Sequence, residues 1–167
     1  VTGRNADKNT AVASELAQDG AVFALDVRDE AAVEQVIAAV MTRFGRLDIL
    51  VNNAGVGGGG PMMEMSREDW DDVMAVNLTG SFLCAKHAAR AMTAQGRGGK
   101  IINIGSMYSV FGPDSFVDYG ASKTAVLGLT RGLAVELAQH NIQVNAILPG
   151  WIVTDLTQEI YESDLGE

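Results

Sequence analysis

Short apolar runs alternate along this chain with stretches of helical periodicity, and that alternation leaves few architectures open. Ala21-Val22-Phe23-Ala24-Leu25, Leu47-Asp48-Ile49-Leu50-Val51, Ile101-Ile102-Asn103-Ile104 and Ile142 to Leu148 are too short for helices and read as buried strands. Between the first two, Val33, Val36, Ile37, Val40, Met41 and Phe44 recur on one helical face. Asp29 stands where that helix would be capped and Gly45 where it would stop. Ser66 opens another helix, with Glu68 and Asp69 placed to favour its dipole. A further helix is expected from about Leu78 to Met92, and a long one from Tyr119 to Gln139, with a turn over Gly96 to Gly99. Strands separated by helices of this length need crossover connections. The expected fold is therefore α/β, a doubly wound parallel sheet with helices on both faces. In such sheets ligands sit beyond the carboxyl ends of the strands.

Composition narrows the function. The chain has 167 residues, which fits a single domain, whole or partial, over residues 1–167. It carries 12 Lys+Arg against 21 Asp+Glu, a net charge of −9, so no nucleic-acid partner is expected. One cysteine excludes an internal disulfide framework, and no His/Cys cluster suggests a metal. No apolar run is long enough for a membrane span. Val1-Thr2-Gly3-Arg4-Asn5 does not resemble a signal peptide, so the expected compartment is the cytoplasm.

The strand ends carry the chemistry. Asn52-Asn53-Ala54-Gly55 follows one strand, Gly105-Ser106 another, and Pro149-Gly150-Trp151-Ile152-Val153-Thr154 a third. Tyr119 and Lys123 are four apart, so on a helix they share a face. An ammonium beside a phenol favours phenolate, which suits a proton donor or acceptor. A serine hydroxyl opposite can hydrogen-bond a substrate oxygen.

These residues, in this order and spacing, resemble the short-chain dehydrogenase/reductase family over nearly the whole sequence, with its Rossmann-like sheet. The resemblance implies an NAD(P)-dependent oxidoreductase that interconverts a ketone and a secondary alcohol. It implies Tyr119 as acid/base, Lys123 as the group that lowers the tyrosine pKa and holds the nicotinamide ribose, and Ser106 as the group that polarises the carbonyl. Asn77 matches the family's helix asparagine, which supports a proton-relay water. Asp26 and Val27 match the positions near the adenine. Asn53, Ala54, Gly55, Pro149 and Gly150 would line the cofactor, and Ile152 and Thr154 would meet the carboxamide. The substrate would be a small carbonyl or alcohol compound, of sugar, gluconate or polyol type, with a 3-oxoacyl thioester as the rival. A homo-oligomer, dimer or tetramer, is implied through the helices 78–92 and 119–139.

The chain departs from the family at both ends. Its glycine-rich loop should follow a first strand, yet the positions four and six after Gly3 are Asp7 and Asn9. Val1-Thr2-Gly3-Arg4 aligns better as the end of the family's second strand, followed by a helix Asp7–Gln18. The expectation is an incomplete sheet and an internal fragment. Arg4, directly after that strand, then favours NADP(H) by pairing with a 2′-phosphate. In the rival alignment Asp26 would end the second strand, and NAD(H) would follow. A truncated or non-catalytic family member is the alternative to an enzyme.

Other features read as structure. Gly57 to Gly60 is expected to be a flexible loop beside the substrate. Gly96 to Lys100 fails as a P-loop, and Gly105-Ser106-Met107 lacks the second glycine of a hydrolase elbow. Asn77-Leu78-Thr79 matches a glycosylation sequon and means little without secretion. His87 and His140 have no acid in view, Cys84 reads as helix packing, and the acids of 68–72 and 159–167 read as solvated faces.

Overall fold

In a computed structural model, residues 1–15 and 20–153 are described. Five strands and five α-helices alternate: β1 (Thr2–Gly3), α1 (Ala6–Ser14), β2 (Phe23–Ala24), α2 (Glu30–Phe44), β3 (Ile49–Asn52), α3 (Arg67–Met74), α4 (Ser81–Ala94), β4 (Gly99–Ile104), α5 (Val117–Leu137) and β5 (Ile142–Ile147). Every ladder is parallel. The alternation does what the sequence requires, since parallel neighbours can be joined only by crossovers.

The helix ends follow local chemistry. The Asp29 carboxylate accepts from the N–H groups of Ala31 and Ala32, and Gly45 closes α2 at φ 71°. Ser66 and Asp69 form a reciprocal capping box at the start of α3. The helix expected from Leu78 does not start there. α3 runs through a π-helical segment, Ala75–Gly80, directly into α4. No glycine or proline interrupts residues 62–79, so no break was required; the extra residue of the π-turn is absorbed instead. The strands are shorter than their apolar runs. Ala21 and Val22 precede the β2 ladder, and Leu47 packs against the core before β3 begins. Gln18, the expected end of the first helix, lies outside the described residues.

Two clusters form the core. Ala85, Ala88, Ala89 and Met92 of α4 meet Ile101 of β4, Leu137 of α5 and Ile142 and Val144 of β5. Leu25, Val33, Leu83 and Cys84 form the second, with Val27, Val36 and Leu50 packed against it. Burial pushes the Cys84 thiol up to about 11, as expected for a packing residue. His87 corrects its expectation: its Nε2 lies 3.1 Å from Glu30, which also accepts from Lys86. That acid is 57 positions away and reaches His87 only because α2 packs on α4.

The sheet is in two pieces. β3, β4 and β5 form one, β1 and β2 the other, and no ladder joins β1 to β3. Between the pieces lies a cleft of about 560 Å³, floored by apolar residues that include Val33, Ile37, Leu47 and Leu50. Ile49 and Val51 on the β3 side are 53% and 52% exposed. The incomplete sheet matches the alignment that places Val1–Arg4 as a second strand, separated from β3.

Candidate active site

Three of the expected catalytic side chains converge beyond the carboxyl end of β4. Ser106 stands one residue past the strand, after Gly105, and caps a short 3-10 turn, Met107–Ser109. Its Oγ accepts from Tyr108 N–H at 3.2 Å, and its own N–H donates to Ser109 Oγ. Ser109 Oγ in turn donates to the Lys123 carbonyl at 2.8 Å, which fixes the serine turn against α5. Tyr119 and Lys123 project from one face of α5, with the Lys123 ammonium 5.6 Å from the phenol ring centroid.

The electrostatics differ from the expectation. Lys123 is 5% exposed, and its Nζ donates to the Ile104 carbonyl at 2.8 Å. Burial pulls its pKa down to about 8. The Tyr119 pKa is raised, not lowered. Burial of the phenol dominates, and a hydrogen bond with Ser106 acts in the opposite direction without overcoming it. The ammonium lies near the ring and is committed to a backbone carbonyl, so it does not supply the expected drop.

Asn77 sits in the π-helical segment and is 1% exposed. Its Oδ1 accepts from Val56 N–H at 2.9 Å, and its Nδ2 donates to the Val56 carbonyl and to Ser122 Oγ. Ser122 Oγ donates on to the Tyr119 carbonyl at 2.8 Å. The Asn77 carbonyl accepts from Ser81 Oγ. The residue thus ties the loop after β3 to the first turns of α5.

Six of the expected cofactor residues share the cleft, and Pro149, Gly150 and Ile152 are not among its lining. Arg4, Asp26 and Val27 line one part of it and Asn53, Ala54 and Gly55 another. Gly55 is close to Lys123, since a methyl on it would lie 3.6 Å from Lys123 Nζ. Asp26 is already engaged. Arg28 donates to both its oxygens, and this pairing, with a smaller contribution from Arg4, holds the carboxyl down at about 2. Pro149 and Gly150 follow β5, and the Pro149 carbonyl accepts from Met107 N–H beside Ser106. Ile152 is exposed past that turn, and Thr154 lies outside the described residues, as do the acids of 159–167.

Several participants were not legible in the sequence. Tyr108 packs edge-on to both Tyr119 and Trp151, with centroids 6.4 and 6.2 Å apart. Asn52 Nδ2 donates to Asn103 Oδ1, and Asn103 donates to Thr130 Oγ1, a buried polar chain across β3, β4 and α5. An asparagine inside the run Ile-Ile-Asn-Ile was the available signal, because a polar group in a buried strand needs a partner.

An α/β fold that gathers Ser106, Tyr119 and Lys123 at one strand end, beside a cleft between two sheet pieces, defines the class. The chain belongs to the short chain dehydrogenase family, whose family model matches residues 1–165. It is 45% identical over 135 residues to a 2-dehydro-3-deoxy-D-gluconate 5-dehydrogenase of Escherichia coli, covering 81% of this chain and 53% of the relative. It is 39% identical over 140 residues to a 3-oxoacyl-acyl-carrier-protein reductase of Thermotoga maritima, covering 84% and 56%. The crystal structure of a gluconate 5-dehydrogenase from Burkholderia cenocepacia, in complex with NADP and tartrate, superposes with a TM-score of 0.90 at 35% identity, covering 98% of this chain and 65% of that one. The chain spans about half the length of the curated relatives it matches.

The depressed Lys123 pKa has a stability consequence. Between about 8 and the ordinary 10.5 the unfolded chain binds more protons at this lysine than the folded one. Burial of the charge therefore penalises the fold below about pH 8, and the penalty is relieved as pH rises toward 10.5. Lys123→Met in the full-length protein is expected to raise the unfolding midpoint at pH 7, with the gain shrinking by pH 10. A gain that is independent of pH would contradict the burial argument.

Proposed function

We propose that this chain is the central part of an NADP(H)-dependent oxidoreductase that interconverts a ketone and a secondary alcohol. The observation that carries the reading is the convergence of Ser106, Tyr119 and Lys123 at the end of β4, with the Lys123 ammonium 5.6 Å from the phenol ring centroid. A phenol with a raised pKa is protonated at neutral pH, which suits donation of a proton to a carbonyl oxygen. Ser106 Oγ orients and polarises that oxygen. Lys123, held beside the phenol by the Ile104 carbonyl, is placed to hold the nicotinamide ribose. The bound cofactor supplies the hydride.

The cleft fits such a cofactor. It offers small residues, Gly3, Ala54 and Gly55, where a flat ring system could approach backbone, and a guanidinium, Arg4, at the end of β1. With Asp26 committed to Arg28, Arg4 is the group suited to a 2′-phosphate, in line with the NADP complex of the structural relative. A sugar-acid ketone of the 5-ketogluconate class is the preferred substrate, on the strength of the gluconate-type relatives. The 3-oxoacyl class is the second reading, supported by the Thermotoga relative.

The test follows NADPH oxidation by the full-length protein with 5-keto-D-gluconate and with acetoacetyl-CoA. Tyr119→Phe is expected to lower kcat by about 10²–10⁴-fold. Retention of most activity would remove Tyr119 from its role, and no turnover of any ketone by the unaltered protein would favour the non-catalytic alternative.

Arg4→Asp is expected to shift the kcat/KM ratio of NADPH over NADH downward by roughly 10- to 150-fold, the worth of one charge-assisted phosphate contact. An unchanged ratio returns Arg4 to the surface.

We also propose a homo-oligomer. α4 and α5 leave a groove of about 490 Å³ in which Phe82 and Leu133 flank the core residues Ala85, Ala89 and Leu137, rimmed by Lys86, Arg90 and Glu136. Light scattering of the full-length protein is expected to give a dimer or tetramer, and a monomer would count against this face as an interface.

A further inference from the structure

The four consecutive glycines 57–60 were expected to be a flexible loop, and the structure holds them down. Gly59 N–H donates to Asp118 Oδ2 at 3.2 Å, and Gly60 N–H donates to the Ser115 carbonyl at 2.7 Å. Ser115 adopts a φ of 58°, an uncommon conformation for a residue with a side chain. Asp118 is 1% exposed, and its Oδ1 accepts from Tyr119 N–H at 2.7 Å. The carboxylate thus bridges the loop and the backbone of the proposed acid/base residue.

The fit leaves no room for side chains. A methyl on Gly58 would overlap the Asp118 carboxylate, and one on Gly59 would come within 2.7 Å of the Phe116 ring. Gly58 does not have a positive φ, so its backbone would accept alanine, and the three atoms nearest an added methyl all belong to the Asp118 carboxylate. Upstream, the same loop passes Lys123 at Gly55 and is bonded at Val56 by Asn77. It therefore runs alongside the face of α5 that carries Tyr119 and Lys123.

We propose that Asp118 is a positioning residue for substrate. Its buried carboxylate clamps the tetraglycine loop over the start of α5 and so fixes the wall of the substrate pocket beside Tyr119. The inference rests on the oxidoreductase reading above. Without the clamp, a loop of four glycines has the largest backbone freedom to lose when substrate orders it. The cost should fall on substrate binding, while the side chains of Ser106, Tyr119 and Lys123 keep their own contacts and only the Tyr119 backbone N–H loses its bond to Asp118.

The test uses the full-length protein with NADPH and whichever of 5-keto-D-gluconate and acetoacetyl-CoA it reduces. Asp118→Ala and Gly58→Ala are each expected to raise the ketone KM by at least about tenfold while kcat falls less than about threefold. NADPH affinity, read by fluorescence titration, should stay unchanged, and amide exchange at Gly59 should accelerate in Asp118→Ala. The double variant is expected to be no worse than Asp118→Ala, because the alanine methyl then enters space the carboxylate has left. Unchanged KM in both single variants, or equal losses in kcat and in NADPH affinity, would overturn the proposal. Tyr119→Phe separates the two readings. If it retains turnover, the catalytic assignment fails; if it abolishes turnover while the Asp118 and Gly58 variants keep the normal KM, only the clamp fails.

Discussion

The arrangement of the site depends on one buried amide. Asn77 makes three side-chain hydrogen bonds, two to the backbone of Val56 and one to Ser122. Through them the loop after β3, the π-helical segment and the first turns of α5 become one unit. Each Val56 group left unpaired in this part-buried setting would cost up to about 1 kcal/mol, the low end for an unsatisfied buried group. The π-turn is the backbone's accommodation of that arrangement. One extra residue within a continuous helix turns the Asn77 amide toward Val56 and Ser122 without ending α3 or delaying α4.

The two titratable groups at the site are both shifted toward their uncharged forms. The lysine pKa falls and the tyrosine pKa rises, and burial leads in each case. The local environment is therefore one in which developing charge meets few competing water dipoles. An ammonium there acts more strongly on a neighbouring oxygen than it would at the surface. Its contact with the Ile104 carbonyl keeps it aligned with the end of β4, where Ser106 begins its turn.

Much of this was legible in the sequence, for reasons particular residues make plain. The periodicity of Val33 to Phe44 and the apolar runs fix helices and strands locally, and the motif residues follow strand ends by the topology of a parallel sheet. Contacts between distant positions left no such trace. His87 meets Glu30 only across packed helices, and Tyr108 becomes a neighbour of Trp151 only when the turns after β4 and β5 come together. The continuity of α3 into α4 past Leu78 was missed because π-turns have no sequence punctuation. The direction of the Tyr119 shift was missed because spacing places an ammonium near a phenol but says nothing of how dry the phenol becomes. Asp118, one residue before Tyr119, reads as an ordinary first-turn acid until the glycines are seen against it.

The two-piece sheet has a consequence of its own. A strand edge at the rim of a sheet is one template for an extended segment. Here β1 and β3 both border the same cleft, so a segment entering it meets two rows of backbone donors and acceptors. Seating it would cover Ile49 and Val51 and extend the apolar floor laid by Val33 and Leu47.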